Sequence, residues 1–225
     1  MAEAYFGRLL TAMVTPFNAD GSVNCEAAAD FAEWLLANGS DGLVVEGSTG
    51  EAATMFMDEK IAVLKAVVER VNGRAPVIVG AGTNCTASTL ELINAVEACG
   101  VDGLLVVGPY YNKPTQEGYY QHFAAVAKST NLPIIVYNVP GRTGSNIEPK
   151  TVARLAAEFP NIVAVKEAAG NVAQTAELFR VLPENVTAGS GIKVWWVCKK
   201  CGNNWQTTPG HRTYGKSGCP CCRNI

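Results

Sequence analysis

No apolar run in the 225-residue chain approaches the 18 or so residues that a membrane helix needs. Its first residues carry Glu3 and lack a basic cluster ahead of an apolar stretch, so no secretory signal is expected and the location is read as cytoplasmic. Acidic residues are missing altogether from residues 192–225, which hold six basic ones: Lys193, Lys199, Lys200, Arg212, Lys216 and Arg223. The segment is therefore +6, against −8 for residues 1–191, and the near-neutral total of −2 hides the contrast. Cysteine is sparse where acid is plentiful. Cys25, Cys85 and Cys99 are scattered through the first part without metal-ligand spacing, while five of the eight cysteines and three of the four tryptophans crowd into the tail. A change this abrupt predicts two modules, 1–191 and 192–225. With 48% hydrophobic and 17% charged residues, the chain is too apolar to stay disordered.

Residues 1–191 alternate between two patterns. Short apolar runs lie at Leu9–Val14, Gly42–Val45, Pro76–Val79, Gly103–Val107, Pro133–Val136, Ile162–Val165 and Val186–Ala188. They are apolar on both pleats, as parallel strands covered on both faces must be. Amphipathic stretches follow at Ala27–Asn38, Asp58–Val71, Ser88–Ala98, Thr115–Lys128, Pro149–Glu158 and Val172–Leu182. Asp58 and Ser88 are candidate N-caps, and Gly39, Gly73 and Gly100 candidate helix stops. Seven strands alternating with six helices predict either a (β/α) barrel or an open doubly wound sheet. Gly80-Ala81-Gly82 begins like a dinucleotide fingerprint, but Cys85 stands where its last glycine belongs, so an ordinary strand-to-helix turn is the reading.

Polar residues gather at strand ends, where a barrel assembles its chemistry. Gly47-Ser48-Thr49-Gly50-Glu51 offers two hydroxyls and free backbone N–H groups for a carboxylate or oxyanion. Tyr110 and Tyr111 follow the fourth strand, and Tyr137 and Arg142 follow the fifth: a phenol moves protons, and a guanidinium clamps a carboxylate. Lys166 is the sharpest residue. Strand alternation places it with Ile162 and Ala164, and an amine beside an apolar wall loses its proton more readily and attacks a ketone to form an imine. The competing reading is a structural ion pair with Glu46 or Glu51.

Four segments, in order and each at a strand end, carry a resemblance: Gly47-Ser48-Thr49-Gly50-Glu51, Pro109-Tyr110-Tyr111-Asn112-Lys113-Pro114, Tyr137-Asn138-Val139-Pro140-Gly141-Arg142-Thr143 and Val165-Lys166-Glu167-Ala168. Together they resemble the dihydrodipicolinate synthases of the pyruvate-dependent class I aldolase family, across almost all of residues 1–191. The resemblance implies a TIM barrel, a homo-oligomer, no cofactor beyond a covalent imine, and a lyase of lysine and diaminopimelate synthesis. It implies that Lys166 condenses with pyruvate and that Tyr137 donates and accepts protons. Ser48 and Tyr111 would complete a hydroxyl relay, with Tyr111 reaching into a neighbouring subunit. Thr49 would hold the pyruvate carboxylate, and Arg142 the carboxylate of aspartate semialdehyde. Ser48 departs from the commoner Thr and also occurs in the sialic-acid lyase branch; Arg142 in its Pro-Gly-Arg-Thr setting argues for the synthase.

After Thr187-Ala188-Gly189-Ser190-Gly191 the family pattern stops, and Ile192-Lys193-Val194-Trp195 begins something else. The expected fold is thus an incomplete TIM (β/α)8 barrel plus a small C-terminal zinc ribbon. Without an eighth strand, the first and seventh keep open edges, and water entering the interior would return Lys166 toward an ordinary amine.

In the tail, Cys198-x2-Cys201, 17 residues, then Cys219-x2-Cys222 is the spacing of a structural zinc site with four thiolates. Cys221 is an extra thiol that competes as a ligand, and His211 is read as a loop residue. The aromatic run Val194-Trp195-Trp196-Val197 resembles a small appended zinc-ribbon module, whose basicity fits a nucleic-acid or protein partner as well as a merely solvated surface. Two functional readings follow. One is a Schiff-base condensation of pyruvate with aspartate semialdehyde, or a related lyase for another 2-oxo acid such as N-acetylneuraminate. The other is a catalytically inactive fusion whose zinc module binds a partner.

Overall fold

The computed structural model describes residues 5–190, 194–198, 200, 201, 203–207, 221 and 222. Seven strands, β1 (Leu10–Ala12), β2 (Gly42–Val45), β3 (Val77–Gly80), β4 (Gly103–Val107), β5 (Ile134–Asn138), β6 (Ile162–Glu167) and β7 (Thr187–Ser190), form one parallel sheet in sequential order. Each pairs with the next, which leaves β1 and β7 as the two edges. The connecting helices are α1 (Cys25–Ala37), α2 (Met57–Val71), α3 (Thr86–Glu97), α4 (Gln116–Ser129), α5 (Pro140–Thr143), α6 (Pro149–Glu158) and α7 (Val172–Val181). This is the partial TIM barrel that the resemblance implies; of the two architectures the alternation left open, the sequential strand order excludes the doubly wound one.

Two apolar layers hold it together. Leu43, Val45, Val77, Val79, Leu104, Val106, Ile134, Val136 and Val165 face the helices in one cluster, which includes Leu64, Val67, Ile93, Tyr119 and Phe123. The alternate residues Val44, Ile78, Leu105, Ile135 and Tyr137 face inward in a second cluster with Phe6. That period of two, apolar on both sides, is why these runs form interior strands and not helices. Phe6 packs into the interior against Gly103, where a Cβ would stand 2.5 Å from the ring.

Several details differ from the sequence reading. A seventh helix, α5, follows β5 directly: Pro140 opens it, Gly144 at φ 75° closes it, and four residues are too few to show a helical period. The N-caps are Phe56 and Cys85, while Asp58 and Ser88 lie inside their helices. At the first of these, Glu59 reaches back to accept the Phe56 N–H at 2.8 Å. Gly39, Gly73 and Gly100 all take positive φ just past helix ends, as expected. A register shift between β5 and β6 pairs Ile134 with Ile162 and Ile135 with Ala164, so Val163 is the extra residue. Ile162 consequently packs on the helix side, and Val163 and Ala164 face the interior; the strict alternation that put Ile162 beside Lys166 fails at this bulge.

A second, separate sheet is the antiparallel pair β8 (Val194–Val197) and β9 (Asn204–Thr207). No helix among the described residues is long and apolar enough to cross a membrane.

Candidate active site and metal centre

Register brings the strand ends together. Tyr137 on β5 is paired with Val107 on β4 and with Lys166 on β6, and Lys166 is paired in turn with Gly189 on β7. Lys166 Nζ stands 4.3 Å from the centroid of the Tyr137 ring, a cation–π distance when the amine is charged. Tyr137 is buried and Lys166 partly so. Burial, assisted by the positive charge of Arg142, holds the Lys166 amine below its ordinary value. The described ion pairs do not include Lys166, which disposes of a partnership with Glu46 or Glu51. With β7 as an open edge, burial still lowers the Lys166 amine, and the Tyr137 ring is its one described close contact.

A cavity of about 400 Å³ opens at the same end of the sheet. Ser48, Tyr137 and Arg142 line it, together with Glu46, Tyr110 and Lys60. Arg142 projects from α5 and is exposed, as are Ser48 and Thr49 in the turn after β2. Lys166, Thr49 and Tyr111 are not among the lining residues; Lys166 meets the cavity only through its neighbour Tyr137. Tyr111 is 87% exposed and holds a left-handed backbone at φ 70°, with its N–H donating to the Thr143 carbonyl at 3.3 Å. A large aromatic ring held out in water on a strained backbone is costly, and the protein tolerates it immediately beside the site.

Two buried carboxyls stand at this mouth, one named in the sequence only as an ion-pair partner for Lys166 and the other only within a motif. Glu46 follows β2 at φ 56° and is 2% exposed, and neither carboxyl oxygen has a hydrogen-bond partner. Burial pushes its pKa up to about 8, opposed only by the charge of Lys60. Gly80 is needed beneath it, since a Cβ there would stand 2.0 Å from the Glu46 carbonyl oxygen. Glu167, next to Lys166, is 1% exposed but accepts hydrogen bonds from Asn138, Gln174 and the Ala169 N–H.

In the second sheet's segment, Cys198, Cys201 and Cys222 bring their sulfurs within 4.8 Å of one another, with Cys198 Sγ and Cys222 Sγ 3.7 Å apart. A tetrahedral zinc at about 2.3 Å from each thiolate sets its sulfurs roughly 3.8 Å apart, so the triad fits that ion. Backbone N–H groups of Cys201 and Lys200 bring the Cys198 thiol down to about 6, which favours the ligating thiolate. Cys221 is exposed and outside the triad; Cys219 and His211 lie outside the described residues.

The dihydrodipicolinate synthetase family model matches residues 5–196, and the chain belongs to that family. A second model, described as a probable treble clef zinc finger domain, matches residues 174–225. The expected small zinc module thus has a family match, to a probable treble clef zinc finger. The 4-hydroxy-tetrahydrodipicolinate synthase of Desulforamulus reducens is 55% identical over 191 residues, 85% of this chain and 64% of the relative. That of Bacillus subtilis is 47% identical over 83% of this chain and 64% of its own length. Among solved structures, the Cyanidioschyzon merolae enzyme with lysine bound superposes with a TM-score of 0.82 at 43% identity, covering 84% of this chain and 64% of that one. The Acinetobacter baumannii enzyme complexed with pyruvate gives 0.78 at 43% identity, over 81% and 62%. The chain spans under two thirds of the length of these relatives.

Proposed function

We propose that residues 1–191 bind pyruvate covalently through Lys166 and condense it with aspartate semialdehyde, a step of lysine and diaminopimelate synthesis. The observation that carries this reading is the shielded Lys166 amine held 4.3 Å from the Tyr137 ring at the end of a parallel strand. The neutral amine attacks the ketone carbon of pyruvate, the carbinolamine loses water, and a protonated imine results. That cation makes the adjacent methyl acidic; loss of a proton gives an enamine, whose carbon attacks the aldehyde carbon. Tyr137 passes protons in these steps, with Ser48 and Tyr111 completing the relay. Thr49 holds the pyruvate carboxylate, and Arg142, exposed at the cavity rim, receives the carboxylate of the aldehyde. The exposure of Tyr111 supports its working in the site of a second copy, in a cytoplasmic homo-oligomer.

We place the module boundary at 191/192, inside the overlap of the two family matches. Beyond it, Cys198, Cys201, Cys219 and Cys222 hold a structural zinc ion that supplies folding energy and no catalysis. Metal analysis should give one zinc per chain, lost in Cys198→Ser and Cys222→Ser and kept in Cys221→Ser. For the enzyme reading, Lys166→Ala should form no reducible pyruvate adduct, while Arg142→Ala should keep the adduct and stop consuming the aldehyde. An adduct that survives Lys166→Ala would overturn the assignment.

A further inference from the structure

We infer that Glu167 is a positioning residue: with Asn138, Asn146 and Gln174 it fixes the geometry of Lys166, Tyr137 and Arg142 from the opposite face of the strands. The inference rests on the imine reading above. The chain itself makes the connection. Lys166 immediately precedes Glu167 on β6, and Tyr137 immediately precedes Asn138 on β5, with Tyr137 paired to Lys166 and Asn138 to Glu167. Side chains of adjacent strand residues point to opposite faces. The reactive pair therefore occupies the interior face, and the Asn138–Glu167 pair the other.

That second pair is fully engaged. Asn138 Nδ2 donates to both Glu167 carboxylate oxygens, at 3.2 and 3.0 Å. Gln174 Nε2 on α7 donates to Glu167 Oε2 at 2.9 Å, and the Ala169 N–H donates to Oε1 at 2.6 Å. Asn146 links the same groups, accepting from Asn138 at 2.8 Å and from Gln174 at 3.0 Å, and donating to Gln174 Oε1 at 2.8 Å. Asn138 Oδ1 accepts the Ile147 N–H at 3.0 Å, and its backbone carbonyl the Ala168 N–H at 2.8 Å. Asn138 and Asn146 flank the segment that carries Arg142 on α5, so one network clamps both ends of that segment and both catalytic strand ends. Three donors, from Asn138, Gln174 and Ala169, converge on the buried Glu167 carboxyl, and a carboxamide in its place would turn an N–H toward other N–H groups.

The arrangement also bears on the missing part of the barrel. Without a partner across β7, the end of β6 is held laterally by β5, β7 and this network. Gln174 ties it to α7, the last helix of the partial barrel.

The test is Glu167→Gln in the full-length, zinc-loaded chain, read in two ways. With pyruvate, the rate of adduct formation at saturation should fall roughly 10–100-fold, with a smaller change in the pyruvate concentration for half-saturation, as for a reactive group displaced by a fraction of an ångström. Without pyruvate, the pH midpoint of Lys166 modification by an amine reagent, followed by peptide mass spectrometry, should move up toward an ordinary amine. Asn138→Asp combined with Glu167→Gln returns one carboxylate to the network and should recover most of both signals. Gln174→Met, which removes one donor from a partly exposed helix residue, should shift both in the same direction by less, and it decides the matter if Glu167→Gln does not fold. A folded Glu167→Gln with wild-type rate and midpoint would overturn the inference, as would a double variant that folds but recovers neither. A wild-type protein that forms no adduct sinks the imine reading alone, because the modification midpoint still reports on positioning.

Discussion

Glu46 and Glu167 sit at the same end of the same sheet, one just after β2 and one closing β6, and both are almost wholly out of contact with water. Burial treats them alike; their partners do not. Three groups donate to the Glu167 carboxylate, whereas the Glu46 oxygens accept nothing, and only the charge of Lys60 opposes its neutralisation. A buried carboxyl without donors escapes the cost of a buried charge by keeping its proton, whereas one ringed by N–H groups has its oxygens satisfied. The same residue type at equivalent places in the fold therefore plays opposite parts. Glu167 is a fixed acceptor that organises the strand ends, while Glu46 is a neutral wall of the cavity below about pH 8.

The contrast is easiest to break at Glu46. Its folded pKa of about 8 lies above the value of 4.5 that it has when exposed, so between these values the folded chain keeps a proton that the unfolded chain has lost. Wild-type stability should consequently fall as pH rises from about 4.5 to about 8 and then level off, by at most roughly 5 kcal/mol from this group. Urea unfolding of Glu46→Gln across pH 5–9 should show that slope removed and greater stability at the alkaline end. An unchanged slope would mean that Glu46 finds a partner in solution.

At Glu167 the sign reverses. Glu167→Leu leaves the Asn138, Gln174 and Ala169 donors without their acceptor and should cost roughly 3–5 kcal/mol at neutral pH, measured by the same unfolding experiment. A near-neutral result would mean that water or rotated carboxamides replace the carboxylate.

Smaller effects sharpen the picture. Lys60→Met removes the one charge that favours ionised Glu46, so the upper end of its titration window should move to higher pH. Arg142→Ala removes a lesser contribution to the depressed Lys166 amine, after burial, and should shift its modification midpoint slightly upward.

Much of this was legible in the residues. Apolar runs on both pleats located all seven strands within a few positions, and Lys166, Tyr137, Ser48 and Arg142 stood out because polar groups at the ends of such runs are out of pattern. Lys166 and Tyr137 do meet, and Ser48 and Arg142 line the cavity beside Tyr137. The bulge at Val163 was not legible, since Ile162, Val163 and Ala164 are all apolar and any phase suits them. Nor was α5, whose one turn carries no period. The surroundings of Glu46 and Glu167 were hidden for a different reason. Which carboxyl meets donors depends on Asn146 and Gln174 folding back from other elements, and a period along one strand cannot report that.

On the proposed function, seven strands hold Lys166 dry enough to act as a nucleophile. Incubation of the zinc-loaded chain with pyruvate and borohydride, followed by mass spectrometry of the peptide containing Lys166, tests it directly. A reduced pyruvate adduct at Lys166, the secondary amine left when borohydride adds hydride to the imine carbon, is the predicted result. A folded, zinc-loaded chain that shows no adduct there would contradict the account.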